Sequence, residues 1–399
     1  MSNKIVKKLL ASLLCVSMVF SMAACGNKEE APTVDEPQEQ ETVEDGTAMD
    51  DMMVDVEEEA EATGVAVPME FDGTRSYLTG LPLDPSIVEQ RPVGVMVENT
   101  KVCLPHHNLD KAAIVVECPA EGNITRYMAL YDDWQDIDII GNVRSCRTYF
   151  AEIAEEYDAI YVHWGQSPFA QPYLLADYVD DLNALAINFN GQKRPSTDVA
   201  FFRYPSNVTS EHNGFTSGPA IMKGIEQRGY SLSHKSEWQP HWQFAADGTK
   251  VTLDEGEDCA VVVPYYYNNE PYFIYNEDDG LYYRYEFGAA ECDGESGEQY
   301  AVTNIIMEYA DDVYYQEGGK DNPKGYLEFY LQGQGKGKYF TNGKMVDITW
   351  TKENYTGNTK FYYLDGSEII LNQGKTWFCL MENKYVEDNK FYATEADFN

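Results

Sequence analysis

Three arginines, two histidines and two glutamates sit in short polar runs between apolar segments, and these residue types can hold an anion or move a proton. The runs are Glu121-Gly122-Asn123-Ile124-Thr125-Arg126, Gly141-Asn142-Val143-Arg144-Ser145-Cys146-Arg147 and His163-Trp164-Gly165-Gln166-Ser167-Pro168. Glu211-His212-Asn213-Gly214 follows the extended-looking Phe201-Phe202-Arg203 as a further polar loop. Guanidinium forks bind carboxylate or phosphate in bidentate fashion. Arg144 and Arg147 stand where a helix is predicted to begin, an end that favours anions. Cations there break a local rule, and such breaks tend to mark functional positions. His163 closes an apolar run just before a glycine turn, where ligands bind in open α/β sheets. It can serve as acid or base near neutral pH, as can Glu121. The expected site therefore has His163 and Glu121 as catalytic candidates and Arg126, Arg144, Arg147, Ser167, His212 and Asn213 as ligand-binding candidates. The plainer alternative pairs each arginine with an internal carboxylate and buries His163 as a core residue.

Other chemistries find less support. Ser145, Ser167 and Ser217 lack a Gly-x-Ser-x-Gly setting, which weakens a serine hydrolase. Cys103, Cys118, Cys146, Cys259, Cys292 and Cys379 form no CxxC pair and no Cys/His metal spacing, so no metal or cofactor is expected. Cys103 with Cys118, or Cys259 with Cys292, can be paired on paper; buried free thiols are the expectation. His106-His107 reads as a loop pair. Gly333-Gln334-Gly335-Lys336-Gly337 precedes no helix, so it lacks a helix-terminus anion site and reads as a hairpin.

The elements that must position these residues follow from periodicity. Extended segments are predicted at Pro92–Val97, Ala112–Val116, Ile124–Leu130, Ala159–His163 and Leu185–Phe189. Helices are predicted over Arg147–Tyr157, Ser167–Tyr178 and Thr216–Arg228, the last stopped by Gly229. That alternation means an α/β domain with a mixed sheet, over residues 71–231. From residue 232 to 399 short aromatic strands dominate, among them Val261–Val263, Tyr282–Tyr285, Tyr326–Tyr330, Lys360–Leu364 and Thr376–Leu380. This is a β-rich second domain, its tyrosines suited to half-exposed pleated faces or to stacking on sugars.

The start of the chain is of another kind. Lys4, Lys7 and Lys8, an apolar run from Leu9 to Phe20, and Met22-Ala23-Ala24-Cys25 make a lipoprotein signal over residues 1–24, with Cys25 the lipidated residue. The apolar run is shorter than the roughly 20 residues of a membrane span. Residues 25–70 form an acidic linker, in which fifteen acids up to Gly64 face the single base Lys28. Such a segment cannot bury enough apolar surface to order itself, and self-repulsion extends it.

The chain carries −38 at neutral pH. Setting aside the three signal lysines and a linker charge of −14 leaves about −27 on the body. That field repels nucleic acid and anionic lipid, so an anionic ligand needs a local basic cluster.

Several segments together resemble the YerB-like lipoproteins, a two-domain bacterial family of unassigned activity. They are Thr79-Gly80-Leu81-Pro82, Arg91 to Asn99, Leu109-Asp110-Lys111-Ala112, Glu121–Arg126, Val143–Arg147, Tyr157–His163, His212-Asn213, Trp350-Thr351-Lys352 and Leu371–Trp377. The resemblance implies an α/β first domain and a β-rich second domain on an envelope lipoprotein. The chain departs from the family pattern at Asn123 and Gln166, where glycine is typical, and at Asn142 and Glu211, where proline is.

The functional expectation is a cell-surface lipoprotein, on the extracytoplasmic face of the membrane, binding an anionic or glycan envelope component through the Arg/His cluster. The alternatives are a hydrolase or transferase acting on such a polymer, and a non-catalytic adaptor for a protein partner.

Overall fold

The computed structural model describes residues 64–204, 209, 212–315 and 325–398. The signal, Cys25, most of the acidic linker and Glu211 lie outside the described residues. From Gly64 the chain is already paired: Gly64–Val65 runs parallel to Thr249–Lys250, and the Met69 amide donates to the Phe244 carbonyl at 2.8 Å. Among the described residues no helix is long and apolar enough to cross a membrane.

The frame is a mixed sheet of twelve strands. In chain order they are β1 (Val93–Asn99), β2 (Ile114–Pro119), β3 (Thr125–Tyr131), β4 (Ile160–His163), β5 (Asp181–Asn183) and β6 (Glu257–Asp258). Then come β7 (Asn304–Tyr315), β8 (Tyr326–Tyr330), β9 (Gly333–Thr341), β10 (Lys344–Lys352), β11 (Lys360–Tyr363) and β12 (Thr376–Glu382). Their spatial order is β6-β10-β9-β7-β12-β2-β3-β1-β4-β5, with β8 beside β7 and β11 beside β10. β12 enters between β7 and β2, parallel to both. A strand from near the end of the chain thus joins the α/β part and the β-rich part edge to edge.

Both faces are buried, as the near-continuous apolar strands require. On β12, Phe378 and Leu380 face one core with Met96, Met128, Tyr149 and Phe150. Trp377, Cys379 and Met381 face the other with Val95, Tyr127, Ile221 and Phe273. The first core is covered by α1 (Thr148–Glu156) and the short α2 (Ala170–Leu174). The second is covered by α3 (Gly218–Arg228) and by a six-stranded antiparallel sheet that includes Val261–Val263, Tyr272–Asn276, Leu281–Glu286 and Lys390–Tyr392.

α3 begins at Ser217, whose hydroxyl accepts from the Ala220 amide, and ends at Gly229 in the left-handed region. Gly218 packs so closely that a Cβ would lie 2.2 Å from the Gln135 and Trp134 carbonyl oxygens.

Two expectations need correction. The helix over Ser167–Tyr178 contracts to Ala170–Leu174, because Pro172 lacks an N–H and fits only a first turn. Gly333–Gly337 is not itself a hairpin turn but the start of β9; the turn is Asn342-Gly343, both at positive φ, as a two-residue hairpin demands. Gly335 is there because a Cβ would lie 2.4 Å from the Trp350 indole nitrogen. The six cysteines among the described residues are unpaired, and all but Cys292 are buried.

Candidate functional site

The sheet brings the arginine runs to one edge of its first core. Arg126 on β3 faces Glu98 on β1 across an antiparallel pair. The loop from Gly141 to Arg147 passes these strands, its Arg144 amide donating to the Met96 carbonyl at 3.0 Å, and delivers Arg147 to the start of α1.

Each arginine has a distinct environment. Arg147 grips Glu121 with two N–H groups, Nε lying 2.6 Å from Oε1, and also donates to the Cys146 carbonyl at 2.8 Å. Burial opposes charge on both partners, but their pairing outweighs it: Glu121 is held below the usual carboxylate range and Arg147 above its ordinary value. The carboxylate explains how a cation is tolerated at a helix N-terminus. Arg144 pairs with Glu98, whose side chain is buried. Arg126 donates to the Ser145 carbonyl at 3.0 Å, while its Nε has no hydrogen-bond partner. Burial and the neighbouring Arg147 push the Arg126 guanidinium down to about 10. Three guanidiniums thus share two carboxylates among the described residues.

The remaining candidates are distributed around this cluster. His163 is fully buried, with Nδ1 2.8 Å from the Gly165 carbonyl and Nε2 3.2 Å from Asp181. Burial raises the Asp181 carboxyl, yet His163 and Arg194 overcome this and hold it low. His163 therefore faces two acceptors and no solvent. Ser167 is buried too, its hydroxyl accepting from the Ala170 amide at 3.2 Å ahead of α2. His212 reaches the cluster, with Nδ1 3.4 Å from Glu98 Oε2. Asn213 accepts from Arg203 at 2.8 Å, and Arg203 lies 4.2 Å over the Trp164 ring. The structure thus gathers Arg126, Arg144, Arg147, Glu121 and His212, and sets His163 and Ser167 behind them as supports of the loop.

At two of the positions expected to depart from the family pattern, the geometry accommodates the residue present. Asn123 takes φ 63°, a left-handed conformation that asparagine tolerates better than most residues. Gln166 accepts from the Asn183 side chain at 2.8 Å, and Asn183 in turn accepts from the Gly165 amide at 2.9 Å.

Glu328 on β8 was not singled out from the sequence. Its neighbour Leu327 directs an amide at Glu121 at 3.4 Å, and burial pushes the Glu328 carboxyl up to about 7. Tyr326 lies beneath Arg147 at 5.6 Å, and Phe169 stacks on Tyr315 at 4.5 Å and meets Tyr326 edge-on. This forms an aromatic wall beside the Arg147–Glu121 pair. Two cavities lie elsewhere. One of about 440 Å³ is lined by Lys375, Trp377 and Tyr300. Another of about 830 Å³ has Asp254, Glu255, Glu257, Asp347 and Asp365 on its walls.

Comparison with known proteins places this architecture. Residues 78–231 match the N-terminal domain, and residues 261–378 the C-terminal domain, of the family described as "Protein of unknown function (DUF3048)". The chain is 33% identical over 316 residues to the "Putative lipoprotein YerB" of Bacillus subtilis (strain 168), covering 78% of this chain and 87% of that protein. The crystal structure of the YerB protein from Bacillus subtilis superposes with a TM-score of 0.65 at 28% identity, covering 80% of this chain and 99% of the other. The chain belongs to this two-domain family, in which a mixed sheet with few helices is joined to a β-rich C-terminal part.

Proposed function

We propose that the protein is lipid-anchored through Cys25 on the extracytoplasmic face of a membrane and binds an anionic envelope polymer, or an anionic glycan, at the arginine cluster. The observation that carries this is Arg126. It is a nearly buried guanidinium with a free Nε, and the described residues supply no carboxylate of its own between the Arg147–Glu121 and Arg144–Glu98 pairs. Among the described residues Arg126 adds a positive charge beside those two pairs, a local attraction against the global field of a chain of −38. The Phe169, Tyr315 and Tyr326 rings offer apolar surface for sugar units at the same edge.

Calorimetric titration with polyglycerol phosphate tests the reading. Arg126→Met is the sharpest variant, since losing Arg144 or Arg147 strands a buried carboxylate. Weakening by roughly tenfold or more, about one charge-assisted hydrogen bond, is expected, with unfolding unchanged. Wild-type affinity in Arg126→Met removes the reading.

A second reading, a hydrolase or transferase on such a polymer, has one observation in its favour. Glu121 is held ionised while neighbouring Glu328 is raised to about 7, and carboxyls pushed apart in this way are how acid and base roles divide. Turnover of a labelled polymer lost in both Glu121→Gln and Glu328→Gln supports it. His163, held between two acceptors, then positions the loop, so His163→Asn lowers activity only as far as it loosens the fold.

A further inference from the structure

One group of three candidate metal donors stands out among the described residues: the carboxylate of Glu98, the thiol of Cys103 and the imidazole of His212, with donor atoms all within 4.8 Å of one another. They come from three places, namely the end of β1, the turn Lys101–Cys103, and the loop ahead of the strand Gly214–Thr216. Their separation in sequence leaves no spacing motif to read.

We propose that Glu98, Cys103 and His212 form a binding site for one divalent transition ion of the zinc class. Glu98 is 1% exposed, and its Oε2, paired with Arg144, lies 3.4 Å from the His212 Nδ1, which makes no hydrogen bond among the described residues. A carboxylate oxygen and an imidazole nitrogen held this close, with the Cys103 sulfur beside them, suit a shared cation. His212 is partly exposed, which gives an ion a way in and leaves a coordination position facing solvent.

The donor chemistry selects the metal. Thiolate with imidazole favours zinc-like ions, whereas magnesium and calcium prefer oxygen ligands throughout. Ligand bonds of roughly 2.0–2.3 Å require the side chains to close inward slightly from their present positions. Binding forms the metal–sulfur bond and breaks the Cys103 S–H bond, the proton leaving to solvent. The Glu98 carboxylate and the thiolate then offset Arg144 and all but one charge of the ion. Arg144, already paired with Glu98, becomes an outer partner orienting the ligating carboxylate.

The test uses Co²⁺ as a spectroscopic probe on the reduced, purified protein. The expected result is a thiolate-to-cobalt charge-transfer band that saturates at one ion per chain and is displaced by Zn²⁺. Cys103→Ser abolishes the band, and His212→Ala and Glu98→Gln weaken binding. Cys292→Ser, which removes the half-buried thiol, leaves the band intact. Arg126→Met also retains it, which separates this site from polymer binding. A wild-type protein without the band, or a Cys103→Ser protein that keeps it, overturns the proposal. If Cys103→Ser folds poorly, Zn²⁺ protection against thermal unfolding in the wild type decides instead: no rise in Tm sinks the site.

Discussion

The guanidinium of Arg284 lies 4.1 Å over the ring of Trp377, and both side chains are buried. Arg284 belongs to the smaller sheet and Trp377 to β12, so this contact joins the two layers of the second core. Around it, Arg284 reaches Glu291 at 2.7 Å, Glu117 at 2.9 Å and Glu286 at 3.5 Å. The Trp377 indole N–H donates to Glu117 at 3.1 Å. His106 lies 3.3 Å from Glu291, and its other ring nitrogen is 2.7 Å from the Glu98 carbonyl. The network thus touches the backbone of the strand that carries Glu98.

Replacing Arg284 by Met keeps volume but leaves three buried carboxyls without their cation. Removing one partner of a buried charge group costs about 3–5 kcal/mol. Urea unfolding is expected to show a loss of that size in Arg284→Met. A loss below about 1 kcal/mol would mean that the carboxyls are carried by other groups.

Glu286 gives the network a pH dependence. Burial and Glu291 raise its carboxyl to about 7 in the folded protein, whereas an exposed glutamate titrates near 4.5. The folded state therefore holds the proton more tightly, and stability falls as pH rises from about 4.5 through about 7. His106, raised by its glutamate neighbours despite burial, acts in the same direction. Glu286→Gln cannot lose a proton, so its unfolding free energy should drop less between pH 5 and pH 8 than that of the wild type. Parallel pH profiles for the two proteins would contradict this assignment.

Much of this arrangement was readable from the sequence, for identifiable reasons. α1 and α3 carried helical spacing and α3 its cap residues, and β4 was a plain apolar run ending at His163. Other features depend on distant pairing. Nothing local announces that β12 slips between β2 and β7. In the tyrosine-rich run at residues 281–286, every second residue faces inward, which places Tyr282, Arg284 and Glu286 inside rather than on a half-exposed face. Glu117 inside the apolar run Ile114–Pro119 was the available signal, since a buried strand carboxylate requires a partner. At the candidate site the arginines were visible but Glu98 was hidden within its strand.

Arg147 and Glu121 are nearly buried and doubly bonded, so their coupling should be measurable. Arg147→Ala is expected to cost about 3–5 kcal/mol because it strands Glu121. The double variant with Glu121→Ala should cost clearly less than the sum of the single changes. Arg147→Lys should recover little, because an ammonium cannot reproduce the two-pronged grip. Additive losses in the cycle would show that the pair is not coupled.

A further buried charge group, on the first core, separates a required cation from a dispensable carboxylate. Lys352 on β10 donates to Glu156 at 2.5 Å and to the Gly357 carbonyl at 2.6 Å, and stands 3.8 Å from Glu152. Burial raises Glu152 to about 8 and drives Glu308 well above the usual range, each further lifted by Glu156. Burial thus favours the neutral form of Glu308, and Glu308→Gln places an uncharged group of similar shape there. Its expected cost is within about 1 kcal/mol. Lys352→Met leaves Glu156 buried, still accepting from the Thr359 amide at 2.8 Å but without a cation, and should cost about 3–5 kcal/mol at pH 7. Lowering the pH protonates the stranded carboxyls, so the gap between Lys352→Met and wild type should narrow in acid. If Glu308→Gln proves the more damaging change in urea unfolding at pH 7, Glu308 is ionised and the charge assignment of this core is reversed.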